Sequence, residues 1–166
     1  MIRSTLFLCL IAALAACAKP TPYQPRAATG GFEESRLETD RYRVSFRGNT
    51  VTSRDLVERS LLYRAAELTL AEGGDWFEVV SSDTDVDRDY FTSGFIHPQP
   101  SLFRHRRKGF GAFPVFPPTI HKRERFEAVA EIVVRKGEKP GDQAEAYDAR
   151  DVIATIGPSL PRPEVE

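Results

Sequence analysis

Hydrophobic positions along this chain follow three spacings, and each predicts a different element. Arg41-Tyr42-Arg43-Val44-Ser45-Phe46-Arg47 alternates strictly, which puts Tyr42, Val44 and Phe46 on one face of a half-buried strand ended by the turn pair Gly48-Asn49. Val57, Leu61, Ala65 and Leu68 then recur at helical spacing, flanked by Leu62 and Ala66, with Arg59, Ser60, Tyr63 and Glu67 on the opposite face. Thr52 and Asp55 have capping-box spacing at the start of that helix, and Gly73-Gly74 stops it. Trp76 to Val80 reads as a second strand. Arg125 to Arg135 alternates again, burying Phe126, Ala128, Ala130, Ile132 and Val134, and Asp148 to Ile156 reads as a short closing helix before Gly157-Pro158.

Strand, helix and strand make a β-α-β unit whose crossover should be right-handed, with both strands in one sheet. The later strand pairs most simply antiparallel with one of them. The expected product is a small two-layer α+β sandwich: the β-α-β unit, an antiparallel strand, a short C-terminal helix and an irregular central insert at 90–123.

The third spacing is an unbroken apolar run from Leu6 to Ala16, behind the single basic residue Arg3. About eleven residues is a signal-peptide core, well short of the ~20 that span a bilayer as a helix. The run ends in Leu14-Ala15-Ala16-Cys17, which resembles the lipobox of bacterial lipoproteins at all four positions. That resemblance implies diacylglyceryl transfer to the Cys17 thiol, cleavage before Cys17, and acylation (typically palmitate) of the new amino terminus. Two or three acyl chains make such an anchor effectively permanent, whereas one binds reversibly. Ala16-Cys17-Ala18 also satisfies the small-x-small rule of an ordinary secretory signal, which would release a soluble protein. Under enterobacterial sorting, Asp after the cysteine retains a lipoprotein in the inner membrane. Ala18 stands there instead and points to the periplasmic face of the outer membrane, with the inner membrane as the alternative.

These signals divide the chain into a signal peptide over 1–16, a lipidated tether over 17–31, an α+β domain over 32–157 and a loose tail over 158–166. The tether carries Pro20, Pro22, Pro25, Gly30 and Gly31. At ~3.1 Å per residue it would reach ~40 Å from the membrane.

Composition narrows the chemistry. Cys9 leaves with the signal and Cys17 is taken by lipid, so the mature domain has no disulfide, cysteine nucleophile or cysteine-based metal site. Loss of Arg3 lowers the basic count from 23 to 22 against 24 acidic residues, which gives no global attraction to nucleic acid. No cofactor is expected.

Tyr42 to Asn49, Leu61 to Leu70, Gly74-Asp75-Trp76-Phe77 and Tyr147 to Val152 together resemble a family of small alphaproteobacterial lipoproteins. The resemblance covers about residues 20 to 160 apart from the insert. It implies lipoprotein status and a single domain, and it supplies no catalytic residues.

The insert is the oddest stretch. From Tyr90 to Arg123 it has no Asp or Glu, six Lys or Arg, all three histidines, seven Phe or Tyr and five prolines. Arg104, Arg106, Arg107 and Lys108 lead into Phe110, Phe113 and Phe116, a basic cluster beside aromatics of the kind that anionic headgroups attract. The functional expectation is a docking loop for anionic lipid or an acidic envelope protein; the alternative buries the phenylalanines and solvates the charges. Asp83, Asp85, Asp87 and Asp89 are spaced two apart and are weak candidates for a hard cation such as Ca²⁺. Arg88 stands where an EF-hand needs glycine, and a solvated acidic turn is the alternative. Arg41, Arg43 and Arg47 either bind an anion or pair across the sheet with Glu127 and Glu131.

His97, His105 and His121 are too scattered for metal-ligand spacing. No nucleophile elbow, phosphate loop or HExxH pair occurs. The expectation is therefore a non-enzymatic envelope lipoprotein, a binding or structural module. The rival is a periplasmic small-ligand-binding protein or enzyme with a cleft between sheet and insert.

Overall fold

A computed structural model describes residues 18–93 and 119–163. In chain order its elements are β1 (Gly31–Arg36), β2 (Arg41–Arg47), α1 (Arg54–Ala71), β3 (Trp76–Ser93), β4 (Thr119–Arg135), β5 (Ala146–Asp148) and α2 (Ala149–Ile156), which runs into a 3-10 turn at Gly157–Ser159. The strands form one antiparallel sheet in the order β1-β2-β4-β3-β5, with the two helices completing a small α+β fold. The chain divides into two compact units, Arg88–Glu124 and the remainder.

In the larger unit the alternation sets the inner face as expected. Tyr42, Val44 and Phe46 are buried on β2, and Ala128, Ala130, Ile132 and Val134 on β4. The register places Phe46 opposite Ala128 and Val44 opposite Ala130, so each large side chain faces a small one. Val57, Leu61, Ala65 and Leu68 of α1 close the core from above. Burying a side chain such as Phe46 or Ile132 contributes about 1.5–3 kcal/mol.

β4 lies between β2 and β3, so the strand-helix-strand unit is split and the later strand pairs with both of its strands. Two strands are additions to the expected pattern. Half of β1 is charged (Glu33, Glu34 and Arg36), and its register with β2 places Phe32 opposite Phe46. β5 is only three residues long, with Phe77 opposite Tyr147.

The helix begins one residue later than expected. Ser53, not Thr52, accepts the N–H of Leu56 at 3.2 Å. The Thr52 hydroxyl is occupied elsewhere, accepting the N–H of Thr21 at 2.9 Å. At the other end Gly73 takes φ +72°, the left-handed conformation that stops a helix. Ser60 and Tyr63, expected on the polar face, are buried as well, because α1 is covered by more than the sheet.

The cover comes from both termini, which corrects two boundaries. The proposed tether packs from Thr21 onward: Thr21 and Tyr23 are 1% and 6% exposed. Tyr23 stacks on Phe46, contacts Phe32, and meets Tyr63 edge-on at 4.9 Å. The tail also docks. Leu160 is buried in the core, Tyr23 N–H donates to the Pro161 carbonyl at 2.7 Å, and Arg162 donates to the Tyr63 hydroxyl at 3.0 Å. A proline-bearing segment need not be free, because its few large side chains can still find a groove.

The described part of the smaller unit consists of the adjoining ends of β3 and β4. Glu124 there takes ion pairs from Lys122 at 2.6 Å and Arg88 at 3.2 Å, which hold its carboxyl below the usual range.

Candidate binding cleft and terminal clamp

α1 has two flanks in the larger unit, and they are built differently. Toward β3, β4 and β5 a cleft of about 360 Å³ opens. Its walls are mostly apolar: Leu61, Ala65, Val79, Ala130 and Tyr147. Two of these are alanines at inward positions of the helix and of β4, where larger residues would have filled the space. Tyr147 is fixed by stacking on Phe77, with ring centroids 5.5 Å apart.

Polar groups gather on one rim, at Glu58, Ser82, Asp83 and Thr84. The Thr84 hydroxyl donates to Glu58 Oε1 at 3.0 Å, and Arg54 Nε donates to the same oxygen at 2.8 Å. The bond from Arg54, with a smaller one from Thr84, holds the Glu58 carboxyl below its ordinary range against the opposing effect of burial. Glu58 is thus a charged, engaged acceptor at neutral pH. A carboxyl kept charged in this way is not a proton donor at neutral pH.

Toward β1 the flank is sealed. Arg64 grips Glu34 with two bonds, 2.5 Å from Nε and 2.7 Å from Nη2, and reaches Glu67 at 3.0 Å. Its guanidinium lies 4.3 Å over the Phe32 ring. The Tyr23 hydroxyl donates to Glu67, and burial followed by that carboxylate pushes the phenol well above its ordinary value. Arg162 lies 5.2 Å from both the Tyr23 and Tyr63 rings. This clamp joins both termini to α1, and sequence reading missed it. Its only trace was an isolated tyrosine among prolines.

On the opposite face of the sheet Arg41, Arg43 and Arg47 are spent in cross-strand pairs. Arg41 and Arg43 hold Glu131 at 2.6 and 2.8 Å, and Arg26 holds Glu127 at 2.6 Å. The register sets Arg43 directly opposite Glu131 and Arg47 opposite Glu127, so ion pairing accounts for the arginines.

The acidic run falls on β3. Among the described residues no three His, Cys, Asp or Glu side chains, Asp83, Asp85 and Asp87 included, are grouped so that they could hold a metal ion. Asp87 instead faces Arg47 at 3.6 Å and Arg125 at 3.7 Å. β5 pairs with Trp76–Glu78 of β3, and the Val79 N–H donates to the Glu145 carbonyl at 3.0 Å.

Cys17, Arg104, Arg106, Arg107 and Lys108 lie outside the described residues, as do His97 and His105. No described helix is long and apolar enough to cross a membrane. The chain matches no protein-family model, and no match is found among curated proteins or solved structures.

Proposed function

We propose that this chain is a lipid-anchored, non-enzymatic bacterial envelope lipoprotein whose α+β domain serves as a binding module on the periplasmic face of the outer membrane. One observation carries it: Leu14-Ala15-Ala16-Cys17 at the end of an eleven-residue apolar run, with only Cys9 as a second cysteine and that within the leader. Ala18 favours the outer membrane. The engaged state of Glu58 supports binding over acid-base chemistry in the cleft. The basic sequence around Arg104, Arg106, Arg107 and Lys108 supports anionic headgroups or an acidic envelope protein as a second contact.

Metabolic labelling with palmitate tests the anchor. Cys17→Ser should abolish incorporation, and persistent labelling would overturn the assignment. Charge reversal at Arg104, Arg106, Arg107 and Lys108 should abolish binding of the unlipidated chain to phosphatidylglycerol vesicles; unchanged binding removes the headgroup contact.

A second reading is favoured by the cleft itself. Its apolar walls and single polar rim suit a small ligand with an apolar body and one hydrogen-bonding end, recognised at Thr84 or Ser82. An environment-sensitive apolar dye should bind the chain, and Ala130→Leu should displace it by filling the floor. Dye binding that survives this substitution would place it elsewhere.

A further inference from the structure

We infer that the domain is held directly on the bilayer, and that the end formed by the β2–α1 loop (residues 48–53) faces the phospholipid headgroups. This orientation rests on the lipidation proposed above. It comes from where the anchored segment first grips the fold.

The grip begins at once. Asn49 Nδ2 donates to the Lys19 carbonyl at 2.8 Å. The Thr21 N–H donates to Thr52 at 2.9 Å, and the Asn49 N–H donates to the Thr21 hydroxyl at 2.8 Å. That hydroxyl in turn donates to the Thr29 carbonyl at 2.9 Å. Gly30 closes the turn against β2, where an added Cβ would stand 2.2 Å from the Arg47 carbonyl oxygen. Tyr23 then seals the segment into the core.

Only Ala18 and part of Lys19 therefore separate Cys17 from the folded surface. Two to four residue steps at ~3.5 Å each give a leash of roughly 7–14 Å. The headgroup layer on one side of a bilayer is itself roughly 5–8 Å thick. A lipidated Cys17 at the hydrocarbon boundary leaves the domain almost no clearance. The ~40 Å reach of an extended tether is replaced by contact.

The leash also selects which end makes that contact. Gly48 N–H donates to the Phe126 carbonyl at 2.9 Å, whereas Asp75 N–H donates to the Arg135 carbonyl at 2.8 Å. These points lie nine residues apart on β4, so the two ends of the larger unit are ~30 Å apart. Lys19, Asn49 and the exposed Val51 mark the near end, and Trp76 marks the far one.

Tryptophan quenching tests this without depending on cellular lipidation. The chain from Cys17 onward is coupled through that thiol to maleimide-phosphatidylethanolamine in phosphatidylethanolamine–phosphatidylglycerol vesicles carrying a headgroup nitroxide. Trp76, the only native tryptophan, reports the far end, and V51W adds a reporter at the near end. The V51W emission should lose most of its intensity while the Trp76 emission changes little. A fifteen-residue Gly-Ser insertion between Ala18 and Lys19 leaves the clamp intact and should remove that difference. Equal quenching at both ends without the insertion would overturn the orientation. Absence of palmitate labelling in the native chain, by contrast, would count only against lipidation.

Discussion

The two flanks of α1 rest on the same sheet and are finished in opposite ways. Toward β1, Tyr23, Tyr63 and Phe32 fill the space and Arg64 ties Glu34 to Glu67. Toward β3 and β5, Ala65 and Ala130 leave about 360 Å³ open behind a rim bonded from Thr84 to Glu58. The sealed flank recruits residues from both chain termini, whereas the open flank uses only β3, β4, β5 and the helix. The difference teaches that the core's tightness depends on segments whose composition looks like linker. The open cleft is lined by α1, β3, β4 and β5 and, among the described residues, by none from the terminal segments.

The largest effect should come from breaking the seal. Tyr23→Ala in an otherwise unlipidated chain should cost about 3–5 kcal/mol in urea unfolding, the loss expected for deleting a buried aromatic side chain. Tyr23→Phe keeps the ring, loses the bond to Glu67, and should cost about 1–2 kcal/mol. A loss under ~0.5 kcal/mol for the alanine variant would mean that the terminal segment behaves as a tether after all.

Enlarging an alanine on each flank sharpens the contrast. Ala128→Leu, opposite Phe46 in the packed core, should destabilise by about 1–3 kcal/mol. Ala130→Leu points into the cleft and should stay within about 1 kcal/mol of the parent, since the added methyl groups meet open space. Equal costs would show that the cleft closes in solution.

Charged residues of α1 should divide along the same line. Arg64→Ala removes a three-bond, half-buried network and should cost about 1–2 kcal/mol after allowance for solvent screening. Arg54→Ala removes one surface pair and should fall within about 0.5 kcal/mol. Thermal melts of the two variants read the difference directly.

The smallest expected effects are in pH dependence, with opposite signs on the two flanks. Glu58 on the open rim is held below its ordinary value by Arg54, so the unfolded chain binds its proton first as pH falls. Its contribution is complete above the ordinary carboxylate value near 4.3 and is lost below it. Tyr23 on the sealed flank is held above its ordinary value by burial and Glu67, so its contribution is complete below about pH 10 and is lost as pH rises further. Glu58→Gln should reduce the slope on the acid side of the stability profile, to which Asp75, Glu124 and Glu131 also contribute, and Tyr23→Phe should reduce the slope on the alkaline side. Interchanged effects would contradict the assignment.

Much of the fold was legible because period-two and helical patterns report which face is buried. Tyr42-Val44-Phe46, Ala128 to Val134 and Val57 to Leu68 all point where their spacing put them. The Arg41, Arg43 and Arg47 pairs with Glu127 and Glu131 were legible too, since alternation fixes their shared face. β1 was missed because Glu33, Glu34, Ser35 and Arg36 carry no apolar alternation, and its pairing is a backbone event beside β2. β5 was missed because three residues are too few to display a period. The cleft left no trace because a void is made by alanines that read as ordinary core.

The residues themselves determined the strand faces, the span of the helix, the charge pairing across the sheet and the Leu14-Ala15-Ala16-Cys17 pattern on which the proposed lipidation rests. Those are local properties, set by side-chain periodicity or by short motifs. Only the tertiary structure decided that β4 would enter between β2 and β3, that Tyr23 and Arg162 would meet over Tyr63, and that the stretch after Cys17 would be clamped from Lys19 onward. Each depends on which distant surface offers a partner to a hydroxyl, a ring or a guanidinium. Such complementarity between segments 30 or more residues apart has no period along the chain.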